Sequence, residues 1–328
     1  MLLTAGQIKA VCGEMPFIYR AGAWKPRTSP HTFQGAGEEA LGWLAGVKQQ
    51  FGIDVATEIA TPEQAQAAIE AGIDYLWIGA RTSANPMAVE AIADRLCLTE
   101  YRPAPPDRVQ TELPLKGIMI KNPVNEDAAL WIGNIERLEK TGVPVIAVHR
   151  GCGHRPCWAM AHKVRLARPD IPMLLDPSHM SGDAARVPEL MQKIEELGLD
   201  GAMVEVHHKP EEALSDAKQQ IRPSDLSEFI GVHTSSSGFI RKDIELNWLR
   251  AEIDELDETL WETIAARMEV SKRIGEWKKA NGVAPLQPER YKAISEKLRV
   301  MSEELGLMPE FAAQIWELIH TESLKQQN

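Results

Sequence analysis

Short apolar runs alternate with amphipathic stretches from residue 16 to about residue 230. The runs at 17–21, 54–59, 75–79, 117–120, 145–148, 173–175 and 202–206 read as strands. Between them, apolar positions recur at helical spacing over 38–50, 62–71, 86–95, 127–140, 158–166 and 187–197, several segments opening on a proline at the first turn, where its missing N–H is harmless. This alternation is the signature of β/α units around a parallel sheet, and predicts an α/β fold of the (β/α)8 TIM-barrel type. Only seven strands are counted, and residues 1–11 read as a helix with no strand ahead of it, so the barrel's first strand is expected to be absent. Beyond 223–230, the small polar residues from Gly231 to Gly238 suit a flexible connector. From Asp243 onward the periodicity is helical only: 244–280, a turn at Asn281-Gly282, 288–305 and 309–326. Leu246, Leu249, Ile253, Leu256, Leu260 and Ile264 recur at spacings of three and four, which predicts an all-α helical bundle. The expected division is a barrel at 1–230, a linker at 231–242 and a bundle at 243–328.

Composition narrows the class. The 328 residues carry 36 Lys+Arg against 47 Asp+Glu, a formal charge of −11. That balance argues against a nucleic-acid partner while leaving room for a local basic pocket. No run of about 18 apolar residues exists, so no membrane span is expected. The N-terminus lacks the basic start and cleavage site of a signal peptide, which points to a cytoplasmic protein whose Cys12, Cys97, Cys152 and Cys157 are reduced thiols.

In a β/α barrel the chemistry collects where strands end. Those ends carry Arg20, Lys25 and Arg27 with Thr28, then Glu58, Arg81, Lys121, His149-Arg150, Asp176-Pro177-Ser178-His179 and Glu205. Arg20, Lys25, Arg27, Arg81, Lys121 and Arg150 would converge on one mouth of an otherwise acidic protein, as binding of phosphate and carboxylate groups requires. The plainer alternative for each is ion pairing with acids at the rim. His179, Glu205 and Asp216 offer one imidazole and two carboxylates to a divalent cation. A competing set, Cys152, His154, Cys157 and His162, matches no zinc spacing cleanly.

The segments Arg20-Ala-Gly-Ala-Trp-Lys25-Pro-Arg27-Thr28, Trp77-Ile-Gly-Ala-Arg81-Thr, Lys121-Asn-Pro-Val-Asn125, His149-Arg150-Gly151, Asp176-Pro-Ser-His179 and Ser215-Asp216-Ala-Lys-Gln-Gln220 resemble 3-deoxy-D-arabino-heptulosonate-7-phosphate (DAHP) synthases of the short type I-beta group, across residues 1 to about 228. The resemblance implies condensation of phosphoenolpyruvate with erythrose 4-phosphate, assisted by a divalent metal, Mn2+ or similar. It assigns Arg20, Lys25, Arg81, Lys121 and Arg150 to phosphoenolpyruvate, and Arg27 with Thr28 to the erythrose phosphate end. Lys121 is the expected proton donor or relay, and His179, Glu205 and Asp216 are three of four metal ligands. The family's fourth ligand is a cysteine in a Gly-Pro-Cys-Ser segment ending the first strand. The chain begins after that point, so strand and ligand are expected to be missing together, with little synthase activity as the consequence. The stretch between Gly151 and Trp158 is also shorter than in relatives.

In the helical region, Arg267 and Lys278 are eleven residues apart, about three turns, and share a face. Arg250 precedes Arg267 by seventeen residues, about 25 Å along the same helix, so it can join that site only from a second copy. Ser323 and Gln327 form an i,i+4 pair. Solvated charge on a bundle face is the ordinary alternative for each arginine. Residues 243–328 resemble the all-helical chorismate mutases through Leu249-Arg250, Ile253-Asp254, Arg267-Met268, Ile274-Gly275, Lys278, Arg290 and Ser323 with Gln327. The resemblance implies that Arg250 from the partner, Arg267 and Arg290 hold two carboxylates. Lys278 and Gln327 stabilise the breaking ether bond, no cofactor is needed, and the protein is a homodimer through this domain. Gln287 and Tyr291 stand where many members have acidic residues. Together the two regions imply a bifunctional enzyme of aromatic amino-acid biosynthesis. The alternative is a mutase whose barrel is a non-catalytic scaffold or regulator.

Overall fold

Seven short apolar runs pair in sequence order as one parallel sheet in the computed structural model, which describes residues 1–26, 31–99, 115–230 and 241–327. The strands are β1 (Ile18–Arg20), β2 (Asp54–Ile59), β3 (Tyr75–Ile78), β4 (Gly117–Lys121), β5 (Val145–His149), β6 (Met173–Leu175) and β7 (Gly201–Ala202). Among the described residues, β1 and β7 each pair on one side only. Helix α1 (Leu2–Cys12) ties the two ends together: the Tyr19 hydroxyl on β1 donates to the Met1 carbonyl (3.4 Å), and Thr4 bonds the His208 ring (3.1 Å) just beyond β7.

The crossovers are α2 (Glu39–Phe51), α3 (Pro62–Glu70), the short α4 (Ala80–Ser83), α5 (Pro86–Thr99), α6 (Ala128–Glu139), α7 (Trp158–Ala167), the short α8 (Pro177–Ser181) and α9 (Val187–Glu196), and α10 (Ser227–Ile230) follows β7. Side chains alternate across each strand. One face buries Val55, Ile59, Leu76, Ile78, Ile118 and Ile120 against helix residues such as Leu44, Val47, Ile92 and Trp131. The other face gathers Ala56, Trp77, Met119, Val148 and Met203 into a smaller cluster. Because the strands are parallel, with Arg20 level with Ala56 and Lys121 with Val148, their C-terminal residues all emerge along one edge.

The chain divides into two compact units, Met1–Glu252 and Ile253–Asn328, and the division falls inside the unbroken helix α11 (Arg241–Ala280). The connector residues 231–240 lie outside the described residues. The first turns of α11 belong to the first unit. Trp248, only 2% exposed, stacks on the His162 ring (5.3 Å) and meets Trp158 edge-on (6.0 Å). His162 Nδ1 lies 2.5 Å from a Glu252 oxygen, and the Asn247 amide donates to the Glu196 carbonyl (3.0 Å).

The second unit comprises the rest of α11 with α12 (Pro288–Glu304) and α13 (Pro309–Gln327). Its apolar positions lie at the expected helical spacing but are not covered: among its described residues no large apolar side chain is buried, while Ser271, Ser302 and Ser323 are. Leu256 is 67% exposed, Trp261 69% and Leu318 73%. An apolar stripe needs a facing element, and within one copy these helices leave much of theirs uncovered. No described helix is long and apolar enough to cross a membrane.

Candidate active sites

The strand ends of the first unit enclose a cavity of about 380 Å³ lined by Arg20, Lys25, Glu58, Arg81, Lys121, Arg150, His179, Glu205 and Asp216. Five of the six predicted cations therefore share one mouth. Arg27 and Thr28 lie outside the described residues. Arg81 sits on α4 rather than at the end of β3, and donates to the Pro26 carbonyl (3.2 Å). The Arg150 backbone N–H is fixed by Asn122 Oδ1 (2.7 Å), whose own amide reaches the Gly151 carbonyl (3.0 Å). Burial pushes the Arg150 guanidinium down from its ordinary pKa, and neighbouring Arg81 adds to this.

Arg20 is the most telling of the set. Its guanidinium lies over the Trp77 ring (5.4 Å) and 3.6 Å from Glu205, yet its Nε and Nη2 atoms are buried and donate no hydrogen bond. Buried N–H groups are nearly always paired, so donors left open in a cationic cavity mark where an anion belongs. Lys121, 5% exposed, is held 2.6 Å from the wholly buried Asp176, whose other contacts are the His179 ring (2.9 Å) and the His179 backbone N–H (3.1 Å). Burial opposes the Asp176 charge, but His179 and Lys121 outweigh it and hold the carboxyl well below the usual carboxylate range.

Two further carboxyls face the cavity with opposite tendencies. Burial pushes Glu58 up, whereas His179, Arg20 and Lys25 overcome the burial of Glu205 and pull it down. Glu58 is therefore the carboxyl that keeps its proton to higher pH. Its position depends on Gly79, because a Cβ there would fall 2.0 Å from Glu58 Oε1.

The predicted metal ligands come together only in part. Asp176 on Nδ1 leaves His179 Nε2 facing Glu205 Oε1 at 3.9 Å, the orientation a ligating imidazole takes. Glu205 accepts from the Gln219 amide (2.7 Å). Asp216 turns instead to Lys25 Nζ (3.4 Å), which also donates to Ser215 Oγ. Among the described residues no three His, Cys, Asp or Glu side chains converge on one point, so this arrangement does not fit a three-ligand cation site. The Cys152, His154, Cys157 and His162 set does not converge either; His162 is engaged with Glu252.

His149 precedes Arg150 and is buried between Trp131 and Trp158, with ring centroids at 6.1 and 5.4 Å. Burial pushes its pKa down to about 3, although the Pro156 carbonyl favours the protonated ring without forming a hydrogen bond of good geometry. The folded state thus keeps the ring neutral while the unfolded chain takes up a proton below its ordinary value of about 6.5. The stability is complete above that value and is lost as pH falls toward about 3. At pH 5 the loss from this one group is about 2 kcal/mol relative to pH 7. Urea midpoints at the two pH values should converge in His149→Gln relative to the wild type; an equal gap in both would show that the ring is not protected.

In the second unit Arg267 Nη1 donates to Ser323 Oγ, and Lys278 Nζ donates to Gln327 Oε1 (2.9 Å) and to the Pro285 carbonyl (2.5 Å). Four of the predicted residues therefore pair across α11 and α13. A Cβ on Gly275 would meet Gln327 Cα at 2.5 Å, so a glycine is what lets the two backbones approach closely enough for the Lys278–Gln327 bond. Arg290 is exposed on α12, and Arg250 is exposed in the first unit, where it reaches Asn247 Oδ1 (3.5 Å).

The sequence alone assigns no site role to Ser215 or Gln219, and gives Glu58 and Asp176 only places at strand ends. Asp176, Ser215 and Gln219 lie inside the motifs that carry the synthase resemblance, and their neighbours are the available signal.

Comparisons with known proteins match the two parts of the chain to two families. Residues 1–98 and 138–237 match the DAHP synthetase I family, and residues 249–328 match chorismate mutase type II. The chain is 30% identical over 209 residues to phospho-2-dehydro-3-deoxyheptonate aldolase of Thermotoga maritima, covering 62% of this chain and 56% of that protein. It is 35% identical over 78 residues to 4-amino-4-deoxychorismate mutase of Streptomyces venezuelae, which is 24% of this chain and 76% of that one. The crystal structure of DAHP synthase from Thermotoga maritima aligns with a TM-score of 0.57 at 25% identity, over 71% of this chain and 64% of that chain. The chain thus spans little more than half the length of its Thermotoga relative. The chain belongs to the DAHP synthetase I family and carries a chorismate mutase type II domain at its C-terminal end.

Proposed function

We propose that the protein is a bifunctional cytoplasmic enzyme of aromatic amino-acid biosynthesis. The first domain, residues 1–230, condenses phosphoenolpyruvate with erythrose 4-phosphate to DAHP. The second, residues 243–328, rearranges chorismate to prephenate, and 231–242 connects them. The observation that carries the synthase half is the buried, undonated N–H edge of Arg20 in a cavity with Lys121 and Arg150. Arg20, Arg81 and Arg150 would grip the phosphate and carboxylate of phosphoenolpyruvate, Lys121 would hold or pass a proton, and Arg27 with Thr28 would take the second phosphate. A divalent cation, Mn2+ or similar, would assist the condensation, although Asp216 is paired to Lys25 rather than turned toward His179 and Glu205.

A pericyclic rearrangement needs no nucleophile, only preorganised charge and a held conformer. Arg267 and Arg290 would fix the carboxylates. Lys278 Nζ and the Gln327 amide N–H would face the ether oxygen; Gln327 Oε1 already accepts from Lys278, which leaves Nε2 to donate. Supporting a homodimer is the uncovered apolar face of the second unit, which a second copy would bury while delivering its Arg250 to this site.

Both halves are tested on the purified chain. Loss of chorismate absorbance is expected; phosphoenolpyruvate consumption that depends on erythrose 4-phosphate and added Mn2+ would establish the condensation. Chorismate stable in the presence of the protein would sink the mutase reading. Phosphoenolpyruvate bound but never consumed would make the barrel a binding domain.

A further inference from the structure

A cation that must grip a substrate carboxylate has to be held still without being neutralised. Arg267 shows how this chain does so. Among the described residues no Asp or Glu lies within ion-pair distance of it. Its Cζ instead lies 5.5 Å over the Trp316 ring, and one Nη1 donates to Ser323. A carboxylate partner would occupy the N–H edge of the guanidinium and cancel its charge, whereas an aromatic face contacts only the flat side and leaves the donors free for an anion.

The ring is itself fixed. Trp316 Nε1 donates to Ser295 Oγ (3.0 Å), and the indole stacks on Tyr291 (6.3 Å, 26°). The His320 ring closes the group at 4.6 Å from Tyr291 and 5.4 Å from Trp316, and the Tyr291 hydroxyl donates to Glu317 (2.7 Å). Each of the three helices contributes: Arg267 from α11, Ser295 and Tyr291 from α12, Trp316 from α13. Desolvation in this setting already pulls the Arg267 pKa down.

We propose that Trp316 is a positioning residue of the mutase site, whose indole, anchored by Ser295 and Tyr291, orients the Arg267 guanidinium toward a substrate carboxylate; this rests on the mutase reading of residues 243–328. The effect should appear as substrate binding. In the full-length protein Trp316→Leu should raise KM for chorismate about 10-fold while kcat falls less than about 3-fold, and Trp316→Phe, which keeps a ring face, should recover most of the loss. Ser295→Ala, which frees the indole without altering the packing volume, should raise KM about 2- to 3-fold. In an Arg267→Lys background, where no flat cation remains, Trp316→Leu and Ser295→Ala should each change KM less than 2-fold. Equal KM increases in both backgrounds, or a Trp316→Leu enzyme with unchanged KM, would overturn the assignment. Should Trp316→Leu lose helicity by circular dichroism, the Ser295→Ala pair of measurements decides alone. A wild-type chain that leaves chorismate unchanged would refute the mutase reading itself, and is separable from an active wild type in which the two backgrounds respond alike.

Discussion

Lys278→Ala or Gln327→Ala is expected to lower mutase turnover by about 100-fold or more, because each donor faces charge that develops on the ether oxygen mainly in the transition state. The two residues are bonded to one another at 2.9 Å, so the losses will not add: removing either leaves the other without the contact that aims it. Arg250→Ala should cause a comparable loss by a different route. It lies seventeen residues before Arg267 on the unbroken helix α11, about 25 Å away at 1.5 Å per residue, and would serve the partner's site. A mixture of Arg250→Ala and Lys278→Ala chains should then regain part of the activity after subunit exchange, since each heterodimer assembles one intact site. Chorismate consumption no higher than that of the separate variants would exclude the shared site.

The periodicity of the chain was enough to lay out seven strands and most crossover helices within a few residues of where they fold, because a strand buried on both faces and a helix buried on one leave different spacings. The cationic mouth was legible for a topological reason: parallel strands bring their C-terminal residues to one edge whatever the details of packing. What spacing does not carry is the identity of a side chain's partner. Asp216 reads as a ligand from its motif, yet it folds against Lys25, which precedes it by 191 residues. Trp316 belongs to none of the motifs that carry the resemblance, and only the packing of three helices puts it beneath Arg267. The stripe from Leu246 to Ile264 predicts a buried face and says nothing of which chain buries it. Within one copy most of that stripe stays exposed.

Asp176 should have the largest effect on stability in the barrel. Its carboxylate, fully buried, is the counter-charge of buried Lys121, the acceptor for the His179 ring and the cap of α8. Removing one member of a buried ion pair strands the other in a medium that solvates it poorly, at a cost of about 3–5 kcal/mol. Asp176→Asn keeps the shape and a capping oxygen while deleting the charge, so its urea unfolding midpoint should fall by an amount in that range. Lys121→Met should cost less, because His179 remains 2.9 Å from the carboxylate that is left. The double variant should be more stable than Asp176→Asn alone, since no buried ammonium is then unpaired. Phosphoenolpyruvate affinity separates the two roles of the lysine: Lys121→Met should weaken binding although it folds better than Asp176→Asn. If Asp176→Asn unfolds within about 1 kcal/mol of the wild type, Lys121 is finding its compensation elsewhere in the cavity, and the pair is a site feature without structural weight.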